Sequence, residues 1–282
     1  MKETLYSSEA ERRPPFIIRN TLVAHGAAYI VDKSIGDGCT PDGHKLLRKL
    51  IVKICKGDKI SISRDIANVY HRAELSIEVE GQGNIPPAGS TIFIANHTRG
   101  GPVNSIGQFF EMSKEAYEAR FNVQDEKIRE PFIIMQRGLA KGKIIQYFSG
   151  ILYEIVGRSL NCEVVEIPQY NIDNEIINGQ KLRTNAIDRI INGGAALWAP
   201  QGTHRDADDL FFPEKKGNGF LQKVCNEDID VQLVPVRSIP DTQGNVKVFF
   251  GPAVELHHIV ENGGINYFTQ KHLVPLGQVK TL

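Results

Sequence analysis

Thr91-Ile-Phe-Ile-Ala-Asn-His-Thr-Arg-Gly-Gly-Pro-Val-Asn-Ser105 is the stretch on which the fold turns. Its first five residues, TIFIA, are apolar, β-branched or aromatic and uncharged, the composition of a strand buried on both faces. The run breaks at Asn96-His97. Gly100-Gly101-Pro102 then forms a corner, and Ser105 with Gln108 has the spacing of a capping box, in which the two side chains satisfy free N–H groups at a helix start. Apolar residues at Ile106, Phe109, Phe110 and Tyr117 continue that helix. His97 is thereby expected at the carboxyl end of a strand and beside a helix start, where open α/β sheets bind ligands. A lone loop histidine is ordinarily a surface or packing residue, so the rest of the chain has to decide its role.

Working outward, the same alternation of strand and helix recurs. Leu75 to Glu80 alternates apolar and polar, as a half-buried strand does, and the Gly81–Gly89 connector is turn-rich. Downstream come an apolar strand at Pro131–Met135, a helix over Lys141–Val156, and a short strand at Val164–Ile167 stopped by Pro168. A helix over Gln180–Ile191 ends at Gly193-Gly194, and Ala195–Ala199 is again a buried strand. The loop Pro200–Asp209 follows, and Gln232–Arg237 and Asn245–Phe250 are expected to close the sheet. Strands alternating with helices at this spacing predict an α/β fold, a mostly parallel central sheet flanked by helices. Residues 73–282 make that domain, and residues 1–72 read as an N-terminal helical extension. Within it, His44–Lys56 places Leu46, Leu47, Leu50, Ile51 and Ile54 on one helical face among lysines and arginines. Such a helix docks on anionic lipid or an acidic partner, or simply packs on the domain with its lysines in water.

Composition bounds the function. The 282 residues include 33 Lys plus Arg against 33 Asp plus Glu, so no net field draws the chain to nucleic acid, and none is expected as a partner. Cys39, Cys55, Cys162 and Cys225 are scattered without a CxxC pair, which fits a reducing cytoplasm better than a disulfide framework or a zinc knuckle. The first residues are polar and acidic, unlike a secretory leader, and the apolar run Thr21–Val31 is shorter than the ~20 residues that span a bilayer. A cytoplasmic protein with at most peripheral membrane contact is expected. There is no Walker loop, no Gly-x-Gly-x-x-Gly after a strand and no Gly-x-Ser-x-Gly elbow.

Four blocks in order carry a resemblance. They are Glu78–Gly81 through Ile92–His97, Phe132–Leu139 through Gly157, Gly194–Arg205, and Val234-Pro-Val236. Together they resemble the glycerolipid acyltransferases, the lysophosphatidate and glycerol-3-phosphate acyltransferase superfamily, over about two-thirds of the chain. The third block, Ala199-Pro-Gln-Gly-Thr-His-Arg-Asp206, is similar to the variant in the soluble plastid enzymes of that superfamily, which also lack the usual glutamate.

The resemblance implies transfer of an acyl group from an acyl-CoA or acyl-carrier-protein thioester, a substrate rather than a bound cofactor, to a hydroxyl or amine. It implies His97 as general base with Asn96 beside it. Arg99, Gly100 and Gly101 in the first loop, and Gln201, Gly202, Thr203 and Arg205 in the second, would bind substrate. No metal is required. The chemistry suits these residue types: a near-neutral imidazole removes the hydroxyl proton, backbone N–H groups meet the oxyanion, and a guanidinium grips phosphate. Two positions depart from the family pattern. The aspartate of the His-x-x-x-x-Asp motif is replaced by Pro102, and Glu163–Gln169 ends without the expected arginine. The first departure raises a second reading, a non-catalytic acyltransferase-like protein that binds a lipid or an acyl carrier. The second departure favours an acceptor other than glycerol 3-phosphate.

Overall fold

The computed structural model describes residues 18, 20–35, 41–58, 60–66, 77–96, 105–136, 162–165, 180–200, 210, 214–240 and 246–278. The strands are β1 (Ile77–Glu80), β2 (Ser90–Ala95), β3 (Phe132–Gln136), β4 (Cys162–Val165), β5 (Ala195–Trp198), β6 (Val231–Pro240), β7 (Val246–Phe250) and β8 (Val254–Glu255). The helices are α1 (Thr21–Ile35), α2 (Pro41–Cys55), α3 (Ser105–Ala119), α4 (Glu126–Arg129), α5 (Gln180–Ile191), α6 (Glu214–Cys225), α7 (Leu256–Glu261) and α8 (Ile265–Phe268). A π-helical turn spans Ile62–Ile66, and another, Thr269–Leu273, follows α8.

The strands form one sheet in the order β1-β7-β6-β2-β5-β3-β4, with β8 also paired to β6. From β6 to β4 all neighbours are parallel. β7 and β8 run antiparallel to β6, and β1 is parallel to β7. The fold is therefore α/β with a mostly parallel sheet, as the spacing of strands and helices predicts.

β2 lies inside the sheet between β5 and β6, and all six of its residues are buried. Its side chains alternate between two cores. Phe93 and Ala95 join Leu197, Val236 and Val248 in one cluster, which also holds buried residues of α1, α2 and α3. Ile92 and Ile94 join Phe132, Ala196 and Leu233 in the other, with residues of α5, α6, α7 and α8. Helices thus cover both faces, which is why β2 reads as an unbroken apolar run.

The two strands expected to close the sheet join it as β6 and β7: β6 is interior, β7 is next to the edge, and the edge itself is β1. Pro235 on an interior strand makes this possible, because its missing N–H points at the corner where β7 gives way to β8. There the Pro235 carbonyl accepts from Gly251 N–H at 2.8 Å. β4 is described over Cys162–Val165, in register with β3 from Ile133↔Cys162 to Gln136↔Val165; it includes Val164 and Val165 of the expected span, while Glu166 and Ile167 lie outside the described residues. Of the two readings of the amphipathic helix, α2 shows the one in which it packs on the domain with its lysines in water. Leu47, Leu50, Ile51 and Ile54 sit in the same cluster as Phe93 and Val248, so the N-terminal extension shares its core with the sheet. The expected helix over Lys141–Val156 lies outside the described residues.

Candidate functional site

Two parallel neighbours deliver the two candidate loops. β2 and β5 pair from Thr91↔Ala195 to Ile94↔Trp198. Counted onward in that register, Asn96 is level with Pro200, the last described residue before Gln201. Asn96 after β2 and Pro200 after β5 therefore lie at the same edge of the sheet, on adjacent strands, each one residue before a candidate block. This is the carboxyl end of the parallel set. His97, Arg99, Gly100 and Gly101, together with Gln201, Gly202, Thr203 and Arg205, lie outside the described residues, as do Pro102 and Asp206.

Of the candidates, Asn96 is described, and its surroundings are specific. It is 2% exposed. Its Nδ2 donates to the Ser238 carbonyl at 2.9 Å, and its Oδ1 accepts from the Ser238 N–H at 2.7 Å. Both polar atoms of the amide are engaged by the main chain of β6. The Ser238 hydroxyl is fully buried and has no hydrogen-bond partner among the described residues. By strand alternation it faces the side of the sheet taken by Val234 and Val236, which pack with Phe93 and Phe109. Sequence reasoning missed Ser238, since a serine near the end of an apolar strand carries no motif.

α3, which follows the first loop, begins at Ser105 as expected. Phe109 on that helix is 6% exposed and belongs to the core with Met112 and Ala116. Farther along, burial pushes the Glu111 carboxyl up, more than the Lys114 ammonium 3.4 Å away pulls it down. Glu115 is likewise raised, first by burial. On the next strand of the site edge, Arg237 reaches from β6 to the carbonyls of Val274 and Leu276 at 2.8 and 2.7 Å, tying the C-terminal turns to the strand that holds Asn96.

Known proteins add little at this point. No family model and no curated protein matches the chain. Among solved structures it is similar to the 1-acyl-sn-glycerophosphate (LPA) acyltransferase PlsC of Thermotoga maritima, at 16% identity, over 84% of this chain and 86% of that one. The TM-score is 0.41, too low for the likeness to decide fold or function.

No group of three or more His, Cys, Asp or Glu side chains that could hold a metal ion occurs among the described residues. No helix among them is long and apolar enough to cross a membrane. α1 does expose Leu22, Val23, Tyr29 and Ile30, each more than half accessible.

Proposed function

We propose that the chain is an acyltransferase that moves an acyl group from an acyl-CoA or acyl-carrier-protein thioester to a hydroxyl or amine acceptor, with His97 as general base. The observation that carries this reading is the shared edge. The Asn96-His97 block and the Gln201–Arg205 block follow adjacent parallel strands at the carboxyl end of the sheet. A base and a phosphate-gripping arginine drawn from those two loops is the arrangement such a reaction needs. The imidazole takes the acceptor proton as its oxygen or nitrogen attacks the thioester carbonyl. The C–S bond then breaks and the thiol leaves with a proton. Arg99 and Arg205 are the residues to bind phosphate, and the N–H groups of Gly100 and Gly101 are those to meet the oxyanion.

Thiol release from a panel of acyl-CoA and acyl-carrier-protein donors tests this, with and without alcohol and amine acceptors. Acceptor-dependent release should fall roughly 10²–10⁴-fold in His97→Ala. No release with any donor would sink the catalytic reading. If both proteins nonetheless bound acyl chains, the second reading would replace it, a binding protein. Pro102 in the position of the family's aspartate is the observation that favours that alternative.

Peripheral membrane contact belongs to the same proposal. Leu22, Val23, Tyr29 and Ile30 fall at helical spacing on one stripe of α1, and α2 exposes Lys45, Lys49 and Lys53. An apolar stripe near cations suits an anionic bilayer surface. The chain should float with anionic vesicles, and Leu22→Gln with Ile30→Gln should abolish flotation. Equal flotation of the double variant would refute the contact.

A further inference from the structure

At the end of β2 the ladder to β6 changes character. Main-chain pairing runs from Ser90↔Val231 to Ala95↔Val236. At the next rung, Ser238 is met not by main chain but by the Asn96 side chain, with Ser238 N–H donating to Oδ1 at 2.7 Å and Nδ2 donating to Ser238 O at 2.9 Å. A primary amide presents the same donor and acceptor as a peptide group, so it completes the rung in the peptide's place. Ser238 is itself held from the far side, opposite Val248 of β7. Both residues are buried, so these bonds do not compete with water.

We propose that Asn96 is the positioning residue for His97. It does so by hanging the end of β2 on the β6 main chain, one residue before the candidate base. The proposal rests on reading His97 as that base, and it deepens the reading: Pro102 stands at the family's aspartate position, and Asn96 fixes the main chain one residue before the candidate base. The chemistry explains why the residue is an asparagine. An aspartate would keep the acceptor for Ser238 N–H but set a carboxylate against the Ser238 carbonyl. A glutamine would keep both bonds but add a methylene, shifting the strand end by about 1 Å, enough to cost on the order of 10²-fold where acid–base geometry is demanding.

The test uses the full chain as wild type, Asn96→Ala, Asn96→Asp, Asn96→Gln and Ile190→Val. The last truncates a fully buried core residue of α5 and serves as a stability-matched control. Exchange of the Ser238 amide hydrogen should be slow in wild type and faster by about tenfold or more in Asn96→Ala. In thioester turnover, kcat should fall by about tenfold or more in Asn96→Ala and Asn96→Asp, with donor KM nearly unchanged, while Ile190→Val keeps its kcat at a similar loss of melting temperature. The His97 imidazole NMR signals, identified by their loss in His97→Ala, should move in Asn96→Ala. A rapidly exchanging Ser238 amide in wild type, or kcat that tracks melting temperature in every variant, would overturn the proposal. So would His97 signals unmoved in Asn96→Ala. The NMR arm reads the positioning even in a protein that releases no thiol. An inactive wild type with shifted His97 signals would refute the base and leave the positioning standing.

Discussion

The Arg120 guanidinium donates from Nη2 to the carbonyl of Gly193 at 2.7 Å and from Nη1 to the carbonyl of Gly89 at 2.9 Å. A longer bond of 3.5 Å reaches Ile128 O. Gly89 immediately precedes β2, Gly193 precedes β5, and Ile128 lies just before β3. One fully buried side chain therefore aligns the amino ends of three neighbouring parallel strands, at the edge opposite the candidate site. Burial pulls the guanidinium down to about 10, yet it stays charged at neutral pH. Arg120→Met should cost about 3 kcal/mol in urea unfolding, because it strands buried carbonyls, and this outweighs the gain from no longer burying a charge. A cost under about 1 kcal/mol would show that water takes over the carbonyls.

At the α1–α2 hairpin the partners are unequally buried. The Asp32 carboxylate is fully covered and sits between His44 Nδ1, at 2.7 Å, and Arg48 Nε. His44 and Arg48 keep 33% and 40% of their side chains in water. Arg48→Ala leaves a buried carboxylate short of its cation, whereas Asp32→Ala leaves partly exposed Arg48 and His44 side chains that can hydrate. The first should therefore cost more, about 2–3 kcal/mol against about 1–2 kcal/mol. Thermal unfolding of the two variants checks the order, and the reverse order would refute the argument.

The corner between β7 and β8 has no room for a side chain. A Cβ on Gly251 would lie 2.7 Å from Pro235 Cγ and 3.0 Å from Leu276 Cδ2. Gly251→Ala should destabilise by about 1–3 kcal/mol through displacement of the β6 proline. Pairing it with Leu276→Ala should recover only part of this, since the Pro235 contact remains. Full recovery in the double variant would place the strain on Leu276 alone.

His272 gives a pH signature. Burial, and secondarily the nearby His258, pull its imidazole below the ordinary histidine value of 6.5. Its Nε2 is buried without a hydrogen-bond partner among the described residues. The folded state resists the proton that the unfolded chain accepts. Stability from this group is therefore present above the unfolded value and lost as pH falls through the folded one. Urea midpoints measured from pH 7.5 down to pH 5 should decline in wild type and decline less in His272→Phe. Parallel slopes would assign the loss elsewhere.

Much of this architecture is legible along the chain, because a strand covered on both faces must be apolar throughout. TIFIA, Ala195–Trp198 and the Gly193-Gly194 helix stop announce themselves for that local reason. Gly193 has φ 87°, and Gly194 N–H reaches back to the Arg189 carbonyl at 2.9 Å. The Asn96-His97 block could also be found, since residue type and place after a strand suffice. The order of strands could not. Whether Val231–Pro240 lies inside the sheet depends on Pro235 falling at the β7–β8 corner, a contact between residues 16 apart in Pro235 and Gly251.

Nor does local sequence mark Ser238 or Arg120. Asn96 and Ser238 are 142 residues apart, and Arg120 and Gly193 are 73 apart. Each pairing joins a polar side chain to main-chain atoms, and main-chain atoms are the same for every residue type. The amino-acid sequence by itself determined the class of fold, the strand that carries the candidate base and the chemistry that base would suit. Tertiary structure alone decided which strand holds the asparagine before it, because a main-chain donor and acceptor become specific only when folding buries them opposite one amide.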